Sequence, residues 1–184
     1  MKGVVFTEFL EMVEENISID VAEEILASCE LPSGGIYTSV GTYDYSEMLQ
    51  LVMKLSSLTG ADVPQLVQAF GRHLFGRFKQ LYPELFGRID SAFEFLSIVD
   101  NQIHVEVRKL YPDAELPRFE TTRLGEDVLE MVYRSDRPFA DLAEGLIAGC
   151  LQYFGETVEI RREVRSDATR FVLTRKAGVL ACST

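Results

Sequence analysis

Hydrophobic positions recur at helical spacing through the first two thirds of the chain. The segment VVFTEFLEMVEENI, residues 4–17, places Val5, Phe9, Met12 and Val13 on one face and predicts a helix. Three further periodic segments follow before residue 83, separated by glycine, serine and proline signals that predict loops. The expected N-caps are Asp20, Ser46 and Asp62, and the expected stops are Pro32, Gly60 and Pro83.

The period changes from helical to alternating in the last third of the chain. Alternating runs on either side of residues 124–127 predict a β-hairpin, and a second hairpin is expected to turn at Ser166 and Asp167. An apolar segment, residues 138–156, predicts a helix between them. The tail, residues 177–184, is expected to be loosely ordered. This order of elements indicates an α+β fold with a small antiparallel sheet and a helical cap.

Length, charge and cysteine content restrict the class of protein. A chain of 184 residues fits a single domain, and a net charge of -11 argues against nucleic acid or an anionic membrane as a partner. Cys29, Cys150 and Cys182 form no CxxC motif, so reduced thiols in a cytoplasm fit best. The N-terminus turns acidic too early for a signal peptide, and no apolar run approaches a membrane span.

His104 lies in VDNQIHVEVRKLYP, residues 99–112, and is one of only 2 histidines. The stretch alternates like a strand, but it also fits a helix that Asp100 caps and that ends before Pro112. One interpretation is a half-exposed histidine on an amphipathic helix. The other is a metal or haem ligand, because one neutral imidazole suffices for a five-coordinate haem iron.

Other residue patterns argue against an enzyme. His73, between Arg72 and Arg77, fits a helix surface better than a ligand site, and the two histidines lack the HxxxH or HExxH spacing of a zinc site. No GxSxG motif, phosphate-binding loop or Cys-His pair supports nucleophilic catalysis. The acidic pairs of the N-terminal helices are expected to be solvated.

The stretch YRSDR, residues 133–137, is a candidate anion clamp. On an extended segment Tyr133, Ser135 and Arg137 point the same way, because side chains alternate with period two. A guanidinium and two hydroxyls on one side can hold a carboxylate or a phosphate. The alternative is the solvated end of an edge strand before the helix that Pro138 begins.

Taken together, the histidine in IHVEVRKLYPDAELP and the YRSDR stretch about thirty residues later closely resemble the haem nitric oxide/oxygen binding (H-NOX) family. The opening MKGVVF and the segment FGRHLFGRF are also similar to that family, of the bacterial stand-alone type. The resemblance runs from residue 1 to about 176. It implies a helical distal subdomain, residues 1–60, and a proximal subdomain with the antiparallel sheet, residues 61–180, with haem between them.

The resemblance also assigns site residues. His104 corresponds to the proximal histidine that binds the ferrous iron of haem b, and Pro117 to a proline that keeps the porphyrin non-planar. The motif that holds the haem propionates corresponds to Tyr133, Ser135 and Arg137. The implied pocket-lining residues are Val5, Phe9, Leu74, Phe78, Leu142 and Leu146.

The implied function is a gas sensor and not an enzyme. Family members that bind dioxygen place a tyrosine over the iron, whereas the matching position here is Leu142, so NO and CO are the expected ligands and dioxygen is excluded. Some members of the family bind a structural zinc through His and Cys residues of the last hairpin. This chain has neither residue type in that hairpin, so no zinc is expected. NO binding is implied to break the bond from iron to His104 and to relax the haem. The signal would pass to a separate partner, such as a histidine kinase or a cyclic-di-GMP enzyme.

Three other functions compete with this interpretation. A haem-free intracellular protein-interaction module would have an expendable His104. A haem peroxidase would need a distal acid/base, for which only His73 is available. A carrier of a small apolar ligand would share the pocket but would need no histidine.

Overall fold

A computed structural model describes residues 1–87 and 89–176 of the chain. This part contains seven α-helices and four β-strands: α1 Gly3–Asn16, α2 Ile19–Ser28, α3 Tyr45–Thr59, α4 Val63–Leu81, α5 Ala92–Ile98, α6 His104–Leu110, β1 Arg118–Arg123, β2 Val128–Arg134, α7 Ala140–Tyr153, β3 Val158–Val164 and β4 Thr169–Arg175. A short 3₁₀ helix, Pro83–Leu85, follows α4, and a π-helical turn, Val99–Ile103, joins α5 to α6. The tail predicted to be loosely ordered, residues 177–184, lies outside the described residues.

Two of the predicted helix starts are wrong by two residues. Ser18, not Asp20, caps α2, and its hydroxyl accepts a backbone N–H at 3.2 Å. Asp44, not Ser46, caps α3, and its carboxylate accepts the N–H of Ser46 at 2.8 Å. A cap must stand before the first turn in an extended conformation, where its oxygen reaches the free N–H groups. The predicted stop at Gly60 is confirmed, since this glycine ends α3 with a φ of 74°.

Helix α4 belongs to both hydrophobic cores of the protein. It begins after Asp62 and ends before Pro83, as predicted. Its Val67 and Phe70 pack in an N-terminal core with α1, α2 and α3, whereas Phe75 packs in a second core with the sheet, α5 and α7. In the part of the chain that is described, no helix combines the length and the apolar character needed to cross a membrane.

The four strands form one antiparallel sheet in the order β1-β2-β4-β3. Both predicted hairpins are therefore confirmed, as is the α+β class. Alternate residues of β2 and β4 are buried against α5 and α7, as the period of two requires. Phe119 of β1, Tyr133 of β2 and Thr169 of β4 stand side by side in the ladder, at the end of the sheet where β2 leads towards α7.

Helices α4 and α7 approach each other closely through glycines. A Cβ atom added to Gly71 would lie 2.6 Å from the carbonyl oxygen of Leu142, and one added to Gly145 would lie 2.3 Å from that of Gln68. No ordinary side chain fits at these distances. Because glycine has no side chain, the backbones of α4 and α7 can come this close. Their separation at the crossing also fixes the distance between the neighbouring residues of the two helices.

Candidate functional site

A cavity of about 1080 Å³ lies between the two hydrophobic cores. This volume is at the upper end of the range of ordinary small-molecule sites. The walls are mainly apolar and come from α1, α4, α6, α7, the loop before β1 and the end of β2. Every predicted site residue except Phe9 lines this cavity: Val5, Leu74, Phe78, His104, Pro117, Tyr133, Ser135, Arg137, Leu142 and Leu146.

The structure places Phe9 behind the cavity wall, so its prediction as a lining residue is not supported. Phe9 is fully buried in the N-terminal core, with its ring edge-to-face against Phe70 at a centroid distance of 5.2 Å. Helix α1 reaches the cavity only at its start, through Val4 and Val5. One turn further along α1, the face that carries Val5 and Phe9 is covered by α4. Phe9 therefore packs against α4 and not against the cavity.

His104 is a buried imidazole at the start of α6, only 9% exposed, and it faces the cavity. The sequence pattern allows a strand or a helix at this point, and the structure has a helix, α6, that continues from the π-helical turn. The prediction that Asp100 caps this helix is wrong, because Asp100 lies within the turn and α6 has no side-chain cap. Burial lowers the pKa of His104 because it disfavours the imidazolium, and the nearby Asp100 carboxylate opposes part of this effect. The imidazole is therefore neutral near pH 7, which is the form that binds a metal.

Arg137 is one of several cationic residues in the cavity wall, and it is positioned by a bend instead of a strand. Strand β2 ends at Arg134, and the hydroxyl of Ser135 accepts the backbone N–H of Arg137 at 3.1 Å. The argument from alternating side chains is therefore wrong beyond the strand end, although Tyr133, Ser135 and Arg137 all line the cavity. The guanidinium of Arg137 forms an ion pair with the Glu115 carboxylate.

Tyr133 provides a hydroxyl in the same region. Its side chain is buried on β2, and burial raises the pKa of its phenol, while the nearby Ser135 hydroxyl opposes part of this shift. The phenol therefore stays protonated over the physiological range and can donate a hydrogen bond.

These residues fit a haem group. The cavity combines a neutral, buried imidazole with apolar walls that can cover a planar macrocycle. Arg137 already pairs with a carboxylate, which is the chemical group that a haem propionate would present. Tyr133 and Ser135 add hydroxyl groups beside it. The donor set is thus a single nitrogen ligand together with an anion clamp.

Several residues of the cavity wall were not predicted from the sequence. Strand alternation could have identified Phe119 and Met131. Phe119 lies two residues after Pro117, and Met131 lies two residues before Tyr133, so each is expected on the same side as its neighbour. Tyr45 lies beside Arg137, whose guanidinium is 5.8 Å from its ring centroid, and no sequence pattern indicates this contact.

A pair of tyrosines also contributes to the wall. The hydroxyl groups of Tyr82 and Tyr111 lie 2.6 Å apart. The two residues follow α4 and α6, so this contact links the ends of two helices that are distant in sequence.

The remaining candidate residues lie away from the cavity. His73 is half-buried on α4 but is not among the lining residues, which removes the only distal histidine that a peroxidase could use. Cys29 is half-buried and Cys150 is buried, and burial raises the pKa of both thiols. Cys182 lies outside the described residues.

The sequence matches the family model Haem-NO-binding over residues 2–162. No curated protein matches it. Among solved structures, an H-NOX protein from K. algicida in the Fe(II) unliganded state is 36% identical, with a TM-score of 0.90 and coverage of 97% of this chain and 98% of that chain.

Two further structures come from Shewanella. The IWP-051-bound H-NOX from Shewanella woodyi in the Fe(II)CO ligation state is 44% identical, with a TM-score of 0.83 and coverage of 98% of both chains. An H-NOX protein from S. oneidensis in the Fe(II)NO ligation state is 25% identical, with a TM-score of 0.90 and coverage of 96% of this chain and 100% of that chain.

Proposed function

The chain belongs to the Haem-NO-binding family, and from this premise we propose that it is a haem-based sensor of NO and CO. The observation that carries the proposal is the cavity that brings His104 and Arg137 together between the two cores. Relatives of the same fold have been solved in Fe(II)NO and Fe(II)CO ligation states. The haem would be haem b, held between the proposed distal subdomain, residues 1–60, and the proposed proximal subdomain, residues 61–180.

The residues that would hold the haem have distinct roles. His104 would be the single protein ligand of the iron, and Arg137, with Tyr133 and Ser135, would bind the propionates. Pro117, on the loop between α6 and β1, would press on the macrocycle. When bound, ferrous haem supplies an iron atom that can bind a diatomic gas.

Leu142 supports the selectivity that we propose. It lies on α7, lines the cavity and has no hydrogen-bond donor. Dioxygen acquires partial negative charge on ferrous iron and is stabilised by a donor, whereas NO and CO depend much less on one. The expected behaviour is therefore stable binding of NO and CO without a stable dioxygen complex.

The proposed signal is the release of His104, which frees α6 to move. The loop after α6 is held against the N-terminus of the chain, since Lys2 Nζ lies 3.0 Å from an oxygen of Asp113 and Thr42 donates to the same carboxylate at 2.6 Å. Movement of α6 would therefore reach the surface shared by these segments. A separate cytoplasmic partner, such as a histidine kinase or a cyclic-di-GMP enzyme, would detect it, and no catalysis by this chain or zinc is involved.

The first experiment is absorption spectroscopy of the purified, reduced protein alone, in air and with NO. We expect a Soret band that air leaves unchanged and that NO shifts to a five-coordinate form. The matched variants are His104→Ala, which should lose haem unless imidazole is added, and His73→Ala, which should behave as the wild type.

The outcome separates this proposal from its main alternative. A wild-type protein that takes up no haem after expression with added haem would refute the sensor and favour a protein-interaction module. Haem uptake that His104→Ala leaves unaltered, without imidazole, would refute His104 as the ligand.

A further inference from the structure

Asp100 contacts both His104 and the first strand of the sheet. One of its carboxylate oxygens, Oδ1, lies 3.4 Å from His104 Nδ1 and accepts the backbone N–H of Phe119 at 3.1 Å. Asp100 belongs to the π-helical turn that precedes α6. We propose that Asp100 is a positioning residue for the iron ligand: it fixes the tautomer of His104 and strengthens the donation of its imidazole to the metal. The inference rests on the proposed function.

The chemistry of the two groups determines the tautomer. A carboxylate can only accept hydrogen bonds, so the His104 nitrogen that faces Asp100 carries the proton. The other nitrogen, Nε2, then keeps its lone pair and is free to bind iron. A carboxylate on the far side of a metal-bound histidine also raises the basicity of the ring, which strengthens the bond to the metal.

Among the described residues that contact the His104 imidazole, no other side chain competes with Asp100 as a hydrogen-bond acceptor for Nδ1. The Phe119 ring lies 6.0 Å from the imidazole, centroid to centroid, and offers no acceptor. Arg108, one turn further along α6, is a cation whose charge opposes that of Asp100 at the imidazole. The Asp100 carboxylate is thus the acceptor available to Nδ1.

A second hydrogen bond joins the same helical segment to β1 without touching the imidazole. Thr121 Oγ1 donates to the carbonyl oxygen of Ser97 at 3.3 Å. Asp100 and Thr121 therefore both attach the end of α5 to the first strand, but only Asp100 contacts His104. This difference provides a matched control, because Thr121→Val loosens the attachment and leaves the imidazole partner in place.

The decisive measurement is resonance Raman spectroscopy of the ferrous, gas-free haem protein. We expect Asp100→Asn, which keeps an oxygen for Phe119 but loses the charge, to move the iron–histidine stretching band to lower frequency. Thr121→Val should leave the band at the wild-type position, and Asp100→Glu, which keeps a carboxylate, should lie nearer to the wild type than Asp100→Asn. An unchanged band in Asp100→Asn, or an equal shift in both Asp100→Asn and Thr121→Val, would overturn the inference.

A second measurement on the wild type needs no variant. In the diamagnetic Fe(II)CO form, NMR should detect a slowly exchanging proton on His104 Nδ1. Its absence would overturn the role of Asp100 even if Asp100→Asn failed to fold. A wild type without any iron–histidine band would refute the proposed function itself, so the two failures are distinguishable.

Discussion

The close crossing of α4 and α7 makes a specific prediction about Gly145. In Gly145→Ala the new Cβ would lie 2.3 Å from the Gln68 carbonyl oxygen, so the two backbones must separate by roughly 0.7 Å to reach a 3.0 Å contact. Forcing extra atoms into such a site costs about 1–3 kcal/mol. Since 1 kcal/mol corresponds to about 2–4 °C for a domain of this size, we expect Tm to fall by about 2–12 °C.

The control for this prediction lies on the same helix pair. Gly76 is an exposed glycine of α4 with nothing within 4 Å of an added Cβ, so Gly76→Ala should raise stability by about 0.5–1 kcal/mol. Thermal unfolding followed by far-UV circular dichroism measures both variants. Helices α4 and α7 also carry Leu74 and Leu142 on the cavity wall, so Gly145→Ala should release haem faster to apomyoglobin. If Gly145→Ala melts at or above the wild-type temperature, the reasoning about the crossing is wrong.

Three further predictions concern other parts of the site and its support. Leu142→Tyr should form a dioxygen complex whose absorption spectrum persists in air, and a spectrum unchanged by air would contradict the role given to Leu142. Arg137→Ala should release haem to apomyoglobin about tenfold faster, because a charge-assisted hydrogen bond is lost; an unchanged rate would count against the clamp. Arg77→Met should lower the free energy of unfolding by about 3 kcal/mol in urea titrations, because the buried Glu8 carboxylate, 2.5 Å from Arg77, loses its partner. Adding Glu8→Gln should restore most of that loss, and no restoration would exclude the unpaired charge as its cause.

The elements that could be predicted from the sequence are those in which a repeated pattern extends over several residues. Hydrophobic residues alternate along β2 and recur at helical spacing along α4, because each element buries one face. The pattern of that single face is enough to identify the type of element. The N-caps are harder to predict, since Ser18 and Asp20 are equally good capping residues by type. Which of them precedes the helix depends on the path of the chain between α1 and α2.

The site could be predicted only in part, because its geometry depends on deviations from regular structure. The π-helical turn before His104 inserts one residue into the helical register, which hydrophobic periodicity does not detect. Strand β2 ends at Arg134, and the bend at Ser135 turns the chain so that Arg137 lines the cavity. Strand alternation does not predict this bend. The contact of Arg137 with Tyr45 joins residues that are distant in sequence, and no local pattern encodes it.

The packing of α4 against α7 has a consequence for biosynthesis. Helix α4 is complete at Leu81, whereas α7 begins at Ala140, so a ribosome adding about 5–20 residues per second needs roughly 3–12 s to reach the first residue of the second helix. During this interval the apolar face of α4 that α7 will cover is open to solvent. The cavity wall is complete only after α7 has been made, because Leu142 and Leu146 belong to it, and apolar surface left exposed until then favours aggregation.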